Sequence, residues 1–353
     1  MSRFLIFCII VCITASCTKH NDPMIDDFPV TFLTGSGVFI INEGNFNWGN
    51  GSVSYYSYDS LKIYNDIFQS INGRPIGDVP NSMVIDEDKI YIVINNSGKI
   101  EVVEKSTFKS VRTITGLKSP RNISVVDDYK AYVTSLYSDS VTIISLADNT
   151  ISGFINLRRT SESIVISGKK AFISNWVGGN EIMVVNTFND KVIDSVEVGK
   201  EPESMVLDKN TVLWVLCNGG WAKENYAELV KVNVNTHEII NTFVFPSKLD
   251  SPLCLQADGN GDSLYYIDKG IRCMSIEAQT LPALPLIPES DHLFYKLGIN
   301  PLNGDILATD AVDYQQKGFV LIHNRHGTLK SSSQAGIIPS FIYFKVQANP
   351  NTD

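Results

Sequence analysis

The stretch that decides the fold runs from Pro80 to Gly116: PNSMVIDEDKIYIVINNSGKIEVVEKSTFKSVRTITG. Four short runs rich in β-branched residues stand out in it: Ser82–Ile85, Lys89–Ile94, Lys99–Glu104 and Ser110–Ile114. An Asp-Glu-Asp, an Asn-Asn-Ser-Gly and a Ser-Thr-Phe segment separate them. Such runs, bounded by turn residues, predict strands. Four antiparallel strands in so short a span form a meander. A meander leaves apolar surface bare unless similar units pack against it.

The chain supplies those units. Residues 119–157, 160–199 and 202–246 repeat the pattern in order, and looser copies run over 252–288 and 292–330. Aligning their starts puts Pro80, Pro120, Ser161, Pro202, Pro252, Tyr295 and Pro339 in register. Most steps are roughly 40 to 45 residues, the period of propeller blades. A parallel β-helix needs a shorter period, and a helical solenoid needs apolar spacing of 3.6. The remaining unit is split. Residues 36–68 offer three strands, SGVFIINEG, GSVSYYSYD and LKIYNDIF, and the fourth lies in GIIPSFIYFK, Gly336–Lys345. Pairing the two ends closes the ring and removes an open sheet edge. The prediction is an all-β, seven-bladed propeller over residues 35–347, with four-stranded antiparallel blades and the first blade closed by the C-terminal strand. Residues 348–353 form a tail.

Composition fits a single large ring: 353 residues, 44% hydrophobic, 19% charged. Net charge is −9 with no basic stripe, which excludes a nucleic-acid partner. Residues 1–16 read as a signal peptide, with Arg3 ahead of an apolar run, Phe4–Ile13, too short to span a bilayer. Thr14-Ala15-Ser16-Cys17 resembles a bacterial lipobox. That resemblance implies acylation of Cys17 and a membrane anchor, with residues 17–34 as a polar tether. The tether resembles the signals that send lipoproteins to the outer face of the outer membrane, so the expected location is lipid-anchored there, facing the exterior. Beyond the anchor remain Cys217, Cys254 and Cys273, an odd number, each in or beside a predicted strand. Buried small hydrophobes are the expected state.

Each second strand ends near a polar residue: Asn42, Asn95, Ser135, Asn175, Asn218, Asp268 or Asp310. Each stands three residues after a hydrophobe: Phe39, Ile92, Tyr132, Phe172, Val215, Tyr265 or Leu307. These polar groups read either as turn starters or as a ring of ligand contacts. The loops that follow carry aromatics among glycines and amides. EGNFNWGNG holds Trp48; Tyr137 follows Leu136; Trp176 stands near Gly178 and Gly179; NGGWAKENY holds Trp221 and Tyr226; and Tyr314 precedes two glutamines. Flat apolar surface beside amides suits a ligand face, or plugs folded over the channel. The blade-to-blade links add Arg74, Arg121, Glu162, Glu203, Leu253, His292, Phe294 and Tyr295. Arg121 and Asn122 suit a phosphate or an amide, or else Arg121 serves an interblade ion pair. The expected binding set is Trp48, Asn95, Arg121, Asn122, Tyr137, Trp176, Glu203, Trp221, Tyr226, Asp268, Tyr295, Asp310 and Tyr314.

Catalytic signatures are missing: no GxSxG, HExxH, P-loop or EF-hand pattern occurs, and the five His are scattered. Asp258-Gly-Asn-Gly-Asp262 lacks the acidic twelfth residue of a calcium loop and reads as a hairpin turn. The expectation is a protein that is not an enzyme, with no catalytic residue, metal or cofactor.

The openings Pro80-Asn-Ser-Met83 and Pro202-Glu-Ser-Met205, with third strands Met183-Val-Val-Asn186 and Leu229-Val-Lys-Val-Asn233, resemble YncE-like or YVTN-type propellers over about residues 36–345. Taken with the lipobox, the chain is similar to the surface cobalamin-binding propeller lipoproteins of gut Bacteroides. The resemblance implies capture of cobalamin or a related corrinoid on one face and its transfer to a TonB-dependent outer-membrane transporter. The alternatives are a surface adhesin or scaffold for protein or glycan, and a metal-dependent lactonase-type hydrolase.

Replacing Cys17 with Ala is expected to abolish lipidation and make the protein extractable without detergent. Mass spectrometry of the N-terminal peptide checks this, and an unmodified wild-type N-terminus refutes the anchor.

Overall fold

The computed structural model describes residues 35–346. The expectations for residues 1–16, Cys17, the tether to 34 and the tail 348–353 lie outside the described residues. Seven four-stranded antiparallel sheets follow one another along the chain. The second blade consists of Pro80–Asp86, Lys89–Ile94, Lys99–Glu104 and Ser110–Thr115, the four runs seen in the sequence. Blades three to seven span 120–156, 164–197, 202–244, 253–288 and 294–337. In the first blade Pro339–Lys345 lies innermost, followed outward by Gly37–Asn42, Ser52–Ser57 and Lys62–Tyr64. The closure runs antiparallel from Gly37 opposite Lys345 to Asn42 opposite Pro339.

Among the described residues there is no central core. The buried apolar residues form seven clusters, each spanning the seam between two neighbouring blades. Alternation along a strand sends successive side chains to opposite sheet faces. The closing strand uses this directly. Phe341 and Tyr343 pack into the seam with blade two, beside Phe39 and Met83. Ile342 and Phe344 pack into the seam with blade seven, beside Val38 and Leu307.

Four seams share a clasp. The third residue of the second strand meets a left-handed residue from the last turn of the next blade. Phe39 stacks on Phe108 at 5.5 Å, and the Tyr91 hydroxyl donates to Asn149 Oδ1 at 2.6 Å. The Tyr132 hydroxyl donates to Asp190, and Phe172 meets His237 edge-on at 6.0 Å. Phe108, Asn149, Asp190 and His237 have φ of 56, 56, 57 and 62°. That conformation swings the turn back over the preceding blade.

Three expectations need correction. Tyr91 and Trp214, not Ile92 and Val215, hold the position equivalent to Phe39 and Tyr132. Asn95 and Asn218 sit one residue past their strands, whereas Asn42, Ser135 and Asn175 are the last residues within theirs. In blade seven Phe294, not Tyr295, stands opposite the end of the second strand as Pro80, Pro120 and Pro339 do. That blade has no proline to mark its start. Lastly, LKIYNDIF is a strand only over Lys62–Tyr64. Asp66 takes a left-handed φ of 54°, and Ile67–Asn72 forms a short helix closed by Gly73, whose N–H donates to the Gln69 carbonyl. Ile67 and Phe68 are buried there, with Phe68 edge-on to Phe108, so tertiary burial overrides strand preference.

Arg74, expected among the channel-side links, instead grips the fully buried Glu101 with two hydrogen bonds of 3.0 and 2.9 Å. Burial pushes the Glu101 carboxyl up, but Arg74 and Lys99 outweigh it and hold the group below the usual carboxylate range. Cys217 and Cys254 are buried and Cys273 half-buried; burial pushes the Cys254 thiol up to about 11. Asp258–Asp262 is a turn in which Asp258 Oδ1 accepts from the N–H groups of Asp262 and Ser263.

Deleting Ile337 onward removes the inner strand of blade one and uncovers two seams. Each large apolar side chain contributes roughly 1.5 to 3 kcal/mol when fully buried, so a loss of several kcal/mol is expected. An unchanged melting temperature for the truncated protein contradicts the role given to the closure.

Candidate functional site

The antiparallel order brings two sets of connections to one face, the second-to-third strand loops and the links between blades. First strands run inward from that face along the axis. Residues just after their starts line a cavity of about 170 Å³ at the channel mouth, among them Asn81, Arg121, Glu162, Glu203, Tyr295 and Ser340. The links enter steeply: Val79, Ser119, Glu201 and Ile338 have φ between 44 and 55° and each precedes a proline. Left-handed non-glycine residues are strained by about 1 to 3 kcal/mol each and persist only where their surroundings fix them.

Charges of both signs converge in this well. Arg121 Nε and Nη2 each donate to a Glu162 oxygen at 2.7 Å. Lys296 Nζ lies 3.5 Å from Glu203 Oε1 and 5.6 Å from the centre of the Tyr295 ring. The other Glu203 oxygen accepts the Cys254 N–H at 2.8 Å. The Tyr295 hydroxyl donates to Glu43 Oε1 at 3.2 Å. Burial works against both cations, but Glu162 outweighs it for Arg121 and Glu203 for Lys296, so both are held above their ordinary values. Burial raises the Glu43 carboxyl, and Arg121 and Lys296 only temper the rise. The well can therefore offer donors and acceptors together.

Above the well lies an aromatic rim. Trp48 and Trp221 are 78 and 92% exposed, and Tyr137, Tyr226 and Tyr314 are exposed as well. Polar anchors hold the loops. Asn45 Nδ2 donates to the Tyr314 carbonyl, and Lys200 Nζ donates to that of Gly178. Trp176 is half-buried, and its indole N–H, enclosed, finds no hydrogen-bond partner among the described residues. Tyr314 meets Tyr295 edge-on at 5.5 Å, which links rim to well.

The residues singled out from sequence thus fall into three groups. Arg121, Asn122, Glu203 and Tyr295 line the well, with Asn122 Nδ2 donating to the Glu162 carbonyl. Trp48, Tyr137, Trp176, Trp221, Tyr226 and Tyr314 belong to the loops of the rim. Asn95, Asp268 and Asp310 direct their side chains at neighbouring structure. Asn95 donates to the Pro120 carbonyl, Asp268 accepts from Arg272, and Asp310 accepts from two backbone N–H groups and pairs with His292. Sequence reasoning missed Glu43, Lys296 and Gln256, which also line the well. One signal was available for Lys296: a charge inside an otherwise apolar first strand, Phe294–Ile299. Among the described residues no cluster of three or more His, Cys, Asp or Glu could hold a metal ion.

A family model described as a domain of unknown function, DUF5074, matches residues 36–337. The chain belongs to the DUF5074 family. No curated protein matches it in sequence. Solved structures similar to this DUF5074 propeller include a quinonprotein alcohol dehydrogenase-like protein from Bacteroides thetaiotaomicron, with a TM-score of 0.70 at 15% identity, covering 88% of this chain and 78% of that one. A candidate 6-phosphogluconolactonase from Bacteroides uniformis has a TM-score of 0.67 at 12% identity, covering 88 and 99% of the two chains. The periplasmic gluconolactonase of Pseudomonas aeruginosa has a TM-score of 0.67 at 11% identity, with the same coverage. At these identities the likeness shows the fold alone. It nonetheless overturns the expectation that the chain is not an enzyme, because lactonases share this architecture and the lack of a catalytic signature excludes nothing.

Glu162→Ala leaves the guanidinium of Arg121 buried without its partner. A loss of about 3 kcal/mol in unfolding free energy is expected, whereas Trp221→Ala, at an exposed position, should stay within about 0.5 kcal/mol of wild type. Denaturant titration of both variants checks the contrast.

Proposed function

We propose that the loop face captures cobalamin or a related corrinoid and delivers it to a TonB-dependent outer-membrane transporter. In this reading Cys17 anchors the protein to the outer membrane with the face turned outward. The net charge of −9 leaves the attachment to the lipid rather than to anionic headgroups. The observation that carries the reading is the exposed aromatic rim over a polar mouth. Trp214, inside a strand, is fully buried, while Trp48 and Trp221 stand in solvent on one face. Large aromatics grouped in the open on one face mark an interaction site. A corrinoid is broad and flat, with peripheral amides, a phosphate and a base. Rim aromatics supply flat contact for the ring and the base, and the amides of the loops supply hydrogen bonds.

Calorimetric titration with cobalamin tests this on wild type and on Trp48→Ala combined with Trp221→Ala. Truncating central aromatic contacts costs about 2 kcal/mol or more, so the double variant should bind at least tenfold more weakly while melting like wild type. Undetectable binding by wild type defeats the corrinoid reading. Equal binding by the two proteins moves the site away from the rim.

A further inference from the structure

Beneath the rim, the charged well has unfilled hydrogen-bonding capacity that the ion pairs do not use. Lys296 Nζ has three N–H groups, yet among the described residues its single acceptor is Glu203, at 3.5 Å. The side chain is two-thirds buried and lines the cavity. Acceptors face them. Asn81 and Asn122 donate through their nitrogens to backbone carbonyls, and among the described residues nothing donates to their side-chain oxygens. Among the described residues the Gln256 side chain makes only a 3.9 Å contact, to the Cys254 sulfur. None of these atoms is fully enclosed, so water reaches them, and a guest whose polar groups match their spacing can take the water's place.

Charge narrows the class of guest. Arg121 and Lys296 are already matched by Glu162 and Glu203. A charged guest would upset that balance in a partly buried place. Spare donors and acceptors come from different blades and intermingle around the axis. An amino acid would need them sorted into a cationic and an anionic side. Hydroxyl groups need no sorting, since each both donates and accepts. The ring of Tyr295 and the side chain of Phe341 add apolar surface for C–H groups.

We propose that the well is a binding site in its own right, for a small uncharged polyhydroxylated molecule of monosaccharide size. It does not depend on what the rim holds.

The experiment is ligand-observed saturation-transfer NMR with calorimetry on the full propeller. D-glucose, D-galactose and myo-inositol serve as neutral probes, D-gluconate as the anionic one and glycine as the zwitterion. At least one neutral probe should bind saturably, and at least tenfold more tightly than gluconate or glycine. Gln256→Leu and Lys296→Met should each weaken that binding tenfold or more, while Trp221→Ala leaves it unchanged. Circular dichroism establishes whether Lys296→Met folds; if it does not, Gln256→Leu decides alone. Three results overturn the proposal: no saturable binding of any neutral probe, tighter binding of gluconate or glycine, or wild-type affinity in Gln256→Leu.

Discussion

A four-stranded sheet with apolar side chains on both faces has no stable existence by itself. Each blade here is such a sheet, and each is made tolerable only by the blades on either side. All seven seams must be filled at once, which fixes the number of units and requires the ends of the chain to meet. The inner strand Pro339–Lys345 satisfies that requirement twice, once for each sheet face it serves. The clasp residues Phe108, Asn149, Asp190 and His237 then tie successive blades together on the side away from the loops.

A charged well at the axis follows from the same geometry. Seven first strands converge there, and their edges cannot all be covered by further protein. Polar groups beside such a shaft keep contact with solvent or guest, so charge is tolerated where the seams would reject it. The well gathers Arg121 from blade three, Glu162 from blade four, Glu203 from blade five and Lys296 from blade seven. Their near-cancellation lets the cations lie deep without loss of their protons.

Much of the fold was legible because strand order is a local property. Turn residues punctuate each strand, and the repeated spacing exposes the ring and its split blade. What escaped was set by one-residue choices. Asn95 and Asn218 lie just outside strands of six residues, whereas Asn42, Ser135 and Asn175 close theirs, so the seam aromatics were displaced by one position in two blades. Ile67 and Phe68 look like strand residues until Phe108, some 40 positions later, gives them somewhere to pack. The site divides in the same way. Aromatic loops show themselves locally, through Trp and Tyr set among Gly and Asn. The well does not, because Glu43 and Tyr295 become partners only through ring closure. Nothing near either residue in the chain announces the other.

The split blade also gives the molecule a direction in time. A chain emerging from the ribosome can complete the sheets of blades two to seven in order, yet blade one waits, three strands out of four, for a strand more than 270 residues behind it. Until residue 345 has been made, the first and last seams stay open, and the channel mouth lacks Ser340 and Phe341. Synthesis that stops early therefore yields an object with two sticky ends rather than a slightly shorter propeller. The closing strand acts as a seal on the finished article, and an incomplete copy is recognisable by the apolar surface it still shows.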